Sequence, residues 1–291
     1  MKILMTKSWC EPEYLDDAML HGMRTLFGAD VVEYPRMWHM YSDSFGLGKI
    51  DISTICARGF TFYGNMNDQQ VDRTDLVNKI KHQFFDLIIM HSWYPSDLTP
   101  VVLEHTHKAK IVWLDGRDER QILTQYIGTG HYFKRELIDA RTDVKPISFA
   151  FPREKISIPV EKTRSLAHVI PGDLKTYVYY DEKAYYNQYN TALFGMTKCK
   201  NGWDCLRHYE ILGSQSVPWF VDLAMCPPRT CITLPKHLFL QVNSLINHHG
   251  HEAFLSNLRD QYEEIRGKIM QHFLNNCTTD RLAVYLLDNI R

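Results

Sequence analysis

Short, continuous apolar runs alternate with longer stretches of helical periodicity along the first half of the chain. The runs predict strands, and the periodic stretches predict helices, at residues 2–6 (strand), 14–27 (helix), 31–34 (strand), 72–84 (helix), 86–90 (strand) and 110–114 (strand). Strands that are apolar at every position are usually covered on both faces, which is typical of a parallel sheet. The alternation therefore predicts an α/β fold with a parallel sheet in this half.

The pattern is interrupted and then resumes. Pro146, Pro152 and Pro159 break the periodicity, so a domain boundary is expected between residues 143 and 164. Beyond it the predicted order is strand 165–170, helix 181–189, strand 192–196, a helix after Asp204, strand 217–221 and a strongly helical stretch from His237 to Arg291. We expect two α/β domains, residues 1–150 and residues 151–291.

Length and charge agree with this division and narrow the classes of function. The 291 residues suffice for two compact domains of about 150 residues each. A formal net charge of −1 favours neither nucleic acid nor an anionic membrane as a partner. No window approaches the roughly 18 apolar residues of a membrane span, and the first residues are too short an apolar run for a signal peptide. Seven cysteines, an odd number, suggest a reducing compartment, so we expect a cytoplasmic protein without a membrane span.

The segment from Lys198 to Pro218 carries the most specific chemical signal. It predicts a basic loop, a helix capped by Asp204, and a strand beginning near Val217. Arg207 and Glu210 are three positions apart on that helix, the spacing of an ordinary surface ion pair. However, a cation near a helix N-terminus suits a diphosphate, and a carboxylate one turn further on suits the hydroxyls of a ribose. Together they favour a nucleotide-sugar site.

The run from Arg207 to Pro218 resembles the donor motif of exostosin-like glycosyltransferases, Arg-x-x-Glu-Ala-x-x-x-Gly-x-x-Pro. Two departures are Ile211 in place of a small residue and Gln215-Ser216 in place of the glycine-containing turn. The resemblance implies the GT-B fold, in which two Rossmann-like domains face each other across a cleft. The first would bind the acceptor and the second the nucleotide sugar, with Arg207 on the donor diphosphate and Glu210 on the ribose. Closing helices in this family pack back across the domain junction, so the last helix is expected to return to the first half.

Further donor contacts are expected around this motif. Of the two loop lysines, Lys198 is the preferred phosphate ligand, and Lys200 is expected to be a solvated charge. Thr197 and Ser214 are candidates for hydroxyl contacts. Gly172 lies in a Pro-Gly-Asp turn that either lets a substrate approach the backbone or is a plain turn. Because the chain has no Asp-x-Asp motif, we expect no metal cofactor.

Transfer to a hydroxyl also requires a base. The candidates, in order of preference, are Asp115, Asp72, Asp118 and His91, which follow predicted strands or begin a predicted helix. Three of them have a stated structural alternative: Asp115 precedes a glycine and can stabilise a turn, Asp72 can cap a helix, and His91 can be a structural histidine. The sequence separates the four only slightly.

Aromatic residues in loops are candidates for an acceptor site, since aromatic rings pack against the apolar faces of sugars. They are Phe60, Phe62, Tyr63, Trp93 and Tyr94, for which covering the core is the preferred interpretation. For the aromatic and basic residues 132–135, packing between the domains is the preferred interpretation.

These observations predict an inverting glycosyltransferase that transfers a sugar from a nucleoside-diphosphate sugar to a hydroxyl of a glycan. Inversion and a UDP-sugar donor, with UDP-xylose as an example, are implied by the resemblance. The alternatives are a fucosyl-type transferase that uses a GDP-sugar, and a non-catalytic nucleotide- or glycan-binding protein with the same fold. The sequence specifies neither the acceptor nor the oligomeric state.

Overall fold

Six parallel strands form the sheet of the first half of the chain. The computed structural model describes residues 1–8, 12–45, 60–68 and 70–291. The strands are β1 (Ile3–Thr6), β2 (Val31–Tyr34), β3 (Leu87–His91), β4 (Lys110–Asp115), β5 (His131–Lys134) and β6 (Val144–Pro146). Their order is β2-β1-β3-β4-β5-β6, and all neighbours are parallel. The direction of winding therefore changes between β1 and β3, which makes their carboxyl ends the switch point of this sheet.

Four described helices accompany these strands: α1 (Tyr14–Phe27), α2 (Ser42–Phe45), α3 (Leu76–Lys81) and α4 (Thr99–His105). The prediction for α1 is confirmed at both ends, and Gly28 ends it with a positive φ of 56°. The prediction that α3 begins at Asp72 is wrong. Asp75 has φ +50°, a left-handed conformation that cannot continue a helix, so α3 begins only at Leu76.

Strands β5 and β6 were not among the predicted elements, and β6 lies inside the stretch predicted as the domain boundary. The expectation that these residues pack between the domains is wrong for Tyr132, which is buried among side chains of the first half. It is confirmed for Phe133, whose ring packs 6.5 Å from that of Tyr285 in the second half. The expectation holds for Arg135, because its guanidinium donates a hydrogen bond to the backbone carbonyl of Asp204 in the second half.

The second half contains a three-stranded parallel sheet in the order β7-β8-β9. Its elements are β7 (Arg164–Leu166), α5 (Glu182–Asn190), β8 (Ala192–Thr197), α6 (Leu206–Gly213), β9 (Val217–Phe220), α7 (Lys236–His249), α8 (Arg259–Asn276) and α9 (Thr279–Asn289). None of the described helices is both long enough and apolar enough to span a membrane. The α/β class is confirmed by these two parallel sheets.

The last helix joins the two halves. Helix α9 packs against α1, where Gly22 lies directly against the backbone carbonyl of Thr279. His21 Nδ1 and Thr279 Oγ1 are 2.9 Å apart in the same interface. The largest buried apolar cluster accordingly contains residues of both sheets, from Ile3 in β1 to Phe220 in β9.

Candidate nucleotide site

A cavity of about 430 Å³ lies between the loops that follow the strands of the two sheets. Asp118 follows β4, Val169 follows β7 and Lys200 follows β8, and all three side chains line the cavity. The carboxyl edge of each sheet therefore contributes to it, and this is the edge at which α/β proteins bind ligands.

Helix α6 points its first turn at this cavity, since Cys205, Leu206 and Arg207 line the wall. The prediction that Asp204 caps the helix is wrong, because Cys205 occupies the cap position. The Asp204 carboxylate instead accepts hydrogen bonds from the Phe149 N–H at 2.7 Å and from the Tyr209 hydroxyl at 2.9 Å. Asp204 thus joins α6 to the end of the first half, and the N-terminal turn of the helix remains on the cavity wall.

Arg207 is held by an aromatic ring. Its Nη1 donates to the Tyr177 hydroxyl at 3.0 Å, and the guanidinium lies 5.0 Å from the centroid of the same ring. Lys200 Nζ lies 5.6 Å from that centroid. Burial alone raises the pKa of Tyr177, but the charges of Arg207 and Lys200 outweigh it and hold the pKa below its ordinary value. Two cations at a helix N-terminus create a positive region suited to a diphosphate.

Glu210, one turn along α6, is mostly buried and lines the same cavity. One carboxylate oxygen accepts from Thr61 Oγ1 at 2.6 Å, and the other accepts from the Tyr185 hydroxyl at 2.7 Å. A carboxylate has about four acceptor positions, so these bonds leave room for two further donors. Arg207 and Glu210, both in the described part of the chain, form no ion pair with each other. The surface ion-pair interpretation of their spacing is therefore wrong.

The other predicted donor ligands lie elsewhere. Thr197 is buried with its hydroxyl 2.8 Å from His208 Nδ1, and Ser214 is buried at the opposite end of α6. Gly172 has φ +92°, and the Lys198 side chain covers it, with Nζ 3.2 Å from where a Cβ would be. Lys198 does not line the cavity whereas Lys200 does, so the preference for Lys198 over Lys200 is wrong.

The structure separates the four candidate bases. Asp115 is fully buried and accepts from the Tyr132 hydroxyl at 2.7 Å and from Lys134 Nζ at 3.0 Å. Asp72 lies at the surface, where hydrogen bonds from Lys79 and Thr74 hold its carboxyl pKa below the usual range.

The preference for Asp115 and Asp72 is therefore wrong, because neither lines the cavity. Asp118 does line it and is paired with the Arg135 guanidinium. His91 is buried at the end of β3.

Sequence reasoning missed the surroundings of His91. Nitrogen and oxygen atoms of Glu13, Asp16 and His91 lie within 4.8 Å of one another at the carboxyl ends of β1 and β3. Burial, followed by mutual repulsion, raises the pKa of Glu13 to about 7, and burial raises that of Asp16 to about 7. Burial lowers the pKa of His91 to about 4. The Glu-x-x-Asp spacing at the start of the first helix was the available signal.

This cluster does not fit a metal ion well. His91 Nδ1 accepts hydrogen bonds from the backbone N–H groups of Trp93 and Tyr94, both at 3.1 Å. The neutral ring therefore carries its proton on Nε2, the atom that faces Asp16 at 3.8 Å. A metal-bound histidine normally has the opposite arrangement, with its second nitrogen donating. Lys7, 3.7 Å from the Asp16 carboxylate, already supplies a positive charge.

Only some of the aromatic loop residues predicted for the acceptor site line the cavity. Phe60 lines the cavity and packs 5.5 Å from the Tyr185 ring. Phe62 is buried in the core, and Trp93 and Tyr94 pack against the Arg117 guanidinium. Tyr14 and Phe149 line the cavity without having been predicted.

No protein-family model, curated protein or solved structure matches this chain. Its function must therefore be inferred from the chemistry of the cavity.

Proposed function

We propose that the protein is an inverting glycosyltransferase with a GT-B arrangement that transfers a sugar from a nucleoside-diphosphate sugar to a glycan hydroxyl. The donor we propose is a UDP-sugar, for example UDP-xylose. The observation that carries the proposal is the placement of Arg207, Lys200 and Glu210 in one cavity at the N-terminus of α6.

The spacing of these groups suits the parts of a nucleotide. The diphosphate binds between Arg207 and Lys200, where the helix N-terminus adds partial positive charge. Glu210 is three residues further along α6, which corresponds to about 4.5 Å of helix rise, and its remaining acceptor positions take the ribose hydroxyls. Tyr179 and Tyr185 provide aromatic surface on which the nucleobase can pack.

In the proposed reaction the acceptor oxygen attacks the anomeric carbon in one in-line displacement. The bond from that carbon to the phosphate oxygen breaks, and its electron pair leaves with the diphosphate. Arg207, Lys200 and the dipole of α6 stabilise this developing charge, which is the role that positioned donors have in an active site. We propose that these groups make a metal ion unnecessary. The acceptor binds on the first-half wall, which includes Tyr14 and Phe149.

Thermal unfolding with a panel of nucleotides tests the donor site. UDP, GDP, UDP-xylose and GDP-fucose are added in turn to the full chain and to Arg207→Ala. A ligand at 100 times its Kd stabilises the folded state by about 2.7 kcal/mol, and we expect this for UDP and UDP-xylose with the wild type only. A larger shift with GDP and GDP-fucose would identify the fucosyl-type alternative. No shift with any of the four would contradict the proposal.

Donor turnover tests the chemistry. We expect UDP-xylose to be consumed equally with and without EDTA. Loss of turnover in EDTA that Mn²⁺ restores would contradict metal independence. Donor binding without any turnover would favour the non-catalytic alternative.

A further inference from the structure

Asp118 is the carboxylate of the cavity wall that donor binding leaves without a role. Among the described residues that line the cavity, three carry a carboxylate: Asp118, Asp204 and Glu210. Asp204 is only 2% exposed, and its two oxygens accept hydrogen bonds from Phe149 and Tyr209. Both oxygens of Glu210 also accept hydrogen bonds, and we assign this carboxylate to the ribose. Asp118 is therefore the one of the three that is open to another ligand.

One oxygen of the Asp118 carboxylate is held, and the other is open. Arg135 Nη2 donates to Oδ1. Arg135 is itself fixed, because Nε donates to the Gly116 carbonyl and Nη1 donates to Glu136 Oε1, both at 2.8 Å. Within the described residues Oδ2 accepts no hydrogen bond, and the Asp118 side chain is 44% exposed. The carboxylate thus has a fixed orientation and an oxygen that can accept a hydrogen bond from a ligand.

The ion pair with Arg135 is compatible with a role in proton transfer. A neighbouring arginine favours the charged form of a carboxylate, which is the form that a general base requires. The Arg135 guanidinium is bonded to two carboxylates, those of Asp118 and Glu136, so that one positive charge is shared by two negative ones. The charge of Asp118 is therefore not cancelled, and its side chain is the exposed member of this group.

Asp118 also lies where the proposed reaction has to occur. The anomeric carbon is bonded to the diphosphate and so lies beside the phosphate-binding cations, and a base must come within about 2.6–3.2 Å of the oxygen that attacks this carbon. Asp118 Oδ1 lies against the loop that carries Lys200, only 2.8 Å from where a Cβ on Gly202 would be. Phe149, on the wall we assign to the acceptor, has its ring centroid 4.5 Å from the Arg135 guanidinium that holds Asp118. Asp118 therefore borders both the phosphate-binding loop and the acceptor wall.

We propose that Asp118 is the catalytic residue that takes the proton of the acceptor hydroxyl. This assignment rests on the proposed glycosyl transfer. The acceptor O–H bond breaks, its proton passes to Asp118 Oδ2, and the oxygen forms the bond to the anomeric carbon. The bond from that carbon to the phosphate oxygen breaks, and its electron pair leaves with the diphosphate at Arg207 and Lys200.

Asp118→Asn is the direct test, because the amide oxygen can still accept a hydrogen bond from Arg135 but cannot take a proton. The measured rate is hydrolysis of UDP-xylose, in which water replaces the acceptor, and the Kd of UDP is measured separately by calorimetry. We expect the rate to fall by about 100-fold or more while the Kd, which also reports a folded site, is unchanged. Glu119→Gln is the matched control, since Glu119 is the next residue of the same loop but is bonded to Arg117 outside the cavity lining. Its rate should equal that of the wild type.

Azide distinguishes a base from a structural residue. Azide attacks the anomeric carbon without losing a proton and so needs no base: the carbon–nitrogen bond forms, and UDP leaves with the electron pair of the broken bond. We expect azide to speed the consumption of UDP-xylose by Asp118→Ala by about 10-fold or more, with xylosyl azide of inverted configuration as the product. Arg207→Ala should gain nothing from azide, because its defect lies at the leaving diphosphate. A residue that only holds the loop in place would not be replaced by azide either.

The outcomes separate this inference from the proposed function. If no nucleotide binds, or if the wild type consumes no UDP-xylose with either water or azide, both fail. If the wild type hydrolyses UDP-xylose and Asp118→Asn is as fast, only the role of Asp118 is overturned. It is also overturned if Asp118→Asn is slow but azide does not speed up Asp118→Ala.

Discussion

Arg207 and Tyr177 make two contacts with each other: a 3.0 Å hydrogen bond from Nη1 to the phenol oxygen, and a 5.0 Å approach of the guanidinium to the ring centroid. A free arginine side chain would lose much conformational freedom on binding a ligand. Because Tyr177 already restrains this one at the cavity wall, less of that cost remains to be met when a diphosphate binds.

Replacing Arg207 by lysine should weaken nucleotide binding even though the charge is kept. Lysine lacks the planar guanidinium, which has enough donors to bond the Tyr177 hydroxyl and a phosphate at the same time. Loss of a hydrogen bond to a charged group costs about 1.5–3 kcal/mol, so we expect the Kd of UDP to rise by roughly 10- to 100-fold in calorimetry. Arg259→Lys, on α8 and outside the cavity lining, is the control. Equal Kd values in the two variants would contradict the prediction.

If Glu210 binds the ribose, the protein should distinguish UDP from 2′-deoxy-UDP. We expect the wild type to bind UDP more tightly, by about 1.5–3 kcal/mol for one hydrogen bond to a charged carboxylate. In Glu210→Gln this preference should shrink, because the neutral amide is a weaker acceptor. Calorimetry with both nucleotides on both proteins isolates the interaction from any general loss of affinity. An identical preference in wild type and variant would exclude Glu210 from the ribose site.

The two departures of the donor segment from the exostosin-like motif have local compensations. Ile211 fits on α6 because β8 has Gly195 opposite it, where an added Cβ would lie 2.8 Å from the isoleucine side chain. Gln215 stands at the glycine position with φ +62°, and Arg266 bonds its carbonyl at 3.2 Å and its side chain at 2.9 Å. Neither partner could be identified from the motif alone, because both come from other elements.

The sequence predicted most strands and helices, since their apolar patterns are local. It also predicted correctly that Arg207 and Glu210 lie in one site, because their spacing on α6 is a local property too. It failed where long-range contacts decide. Lys134 lies on β5 and donates a hydrogen bond to the Asp115 carboxylate. The conformation of the loop after β8 places Lys200, and not Lys198, in the cavity lining. Strands β5 and β6 are short and were hidden among polar residues and prolines.

Acid should destabilise the protein through His208. The ring is fully buried, with Nδ1 2.8 Å from Thr197 Oγ1 and Nε2 2.8 Å from the Trp203 carbonyl. Burial lowers its pKa from 6.5 to about 3. Its contribution is complete above pH 6.5 and is lost as the pH falls toward 3, because only the unfolded chain binds the proton in that window.

The expected slope from this one group is about 1.4 kcal/mol of unfolding free energy per pH unit. Urea unfolding of wild type and His208→Gln, at several pH values below 6.5, measures it. The variant should have a lower free energy of unfolding than the wild type near pH 6.5. As the pH falls, its free energy of unfolding should decrease less steeply than that of the wild type, and the difference between the two slopes should be about the value given above. His91 contributes with the same sign in both proteins, so parallel slopes would contradict the role of His208.

The contact between α1 and α9 leads to a prediction with an internal control, because Gly22 and Gly267, both in described helices, have opposite surroundings. A Cβ on Gly22 would lie 1.9 Å from the backbone carbonyl of Thr279. On Gly267, in α8, it would meet nothing within 4 Å. Glycine is disfavoured in a helix interior by roughly 0.5–1 kcal/mol relative to alanine, so space alone decides the sign of each substitution.

Gly22→Ala should therefore destabilise the protein by about 3 kcal/mol or more, since backbone must move and overpacking already costs 1–3 kcal/mol where only side chains shift. Gly267→Ala should instead stabilise it by about 0.5–1 kcal/mol. Urea unfolding of both variants beside the wild type measures the difference. If Gly22→Ala were as stable as Gly267→Ala, α9 could not pack on α1 at this distance. That result would contradict the conclusion that this helix connects the two halves of the chain.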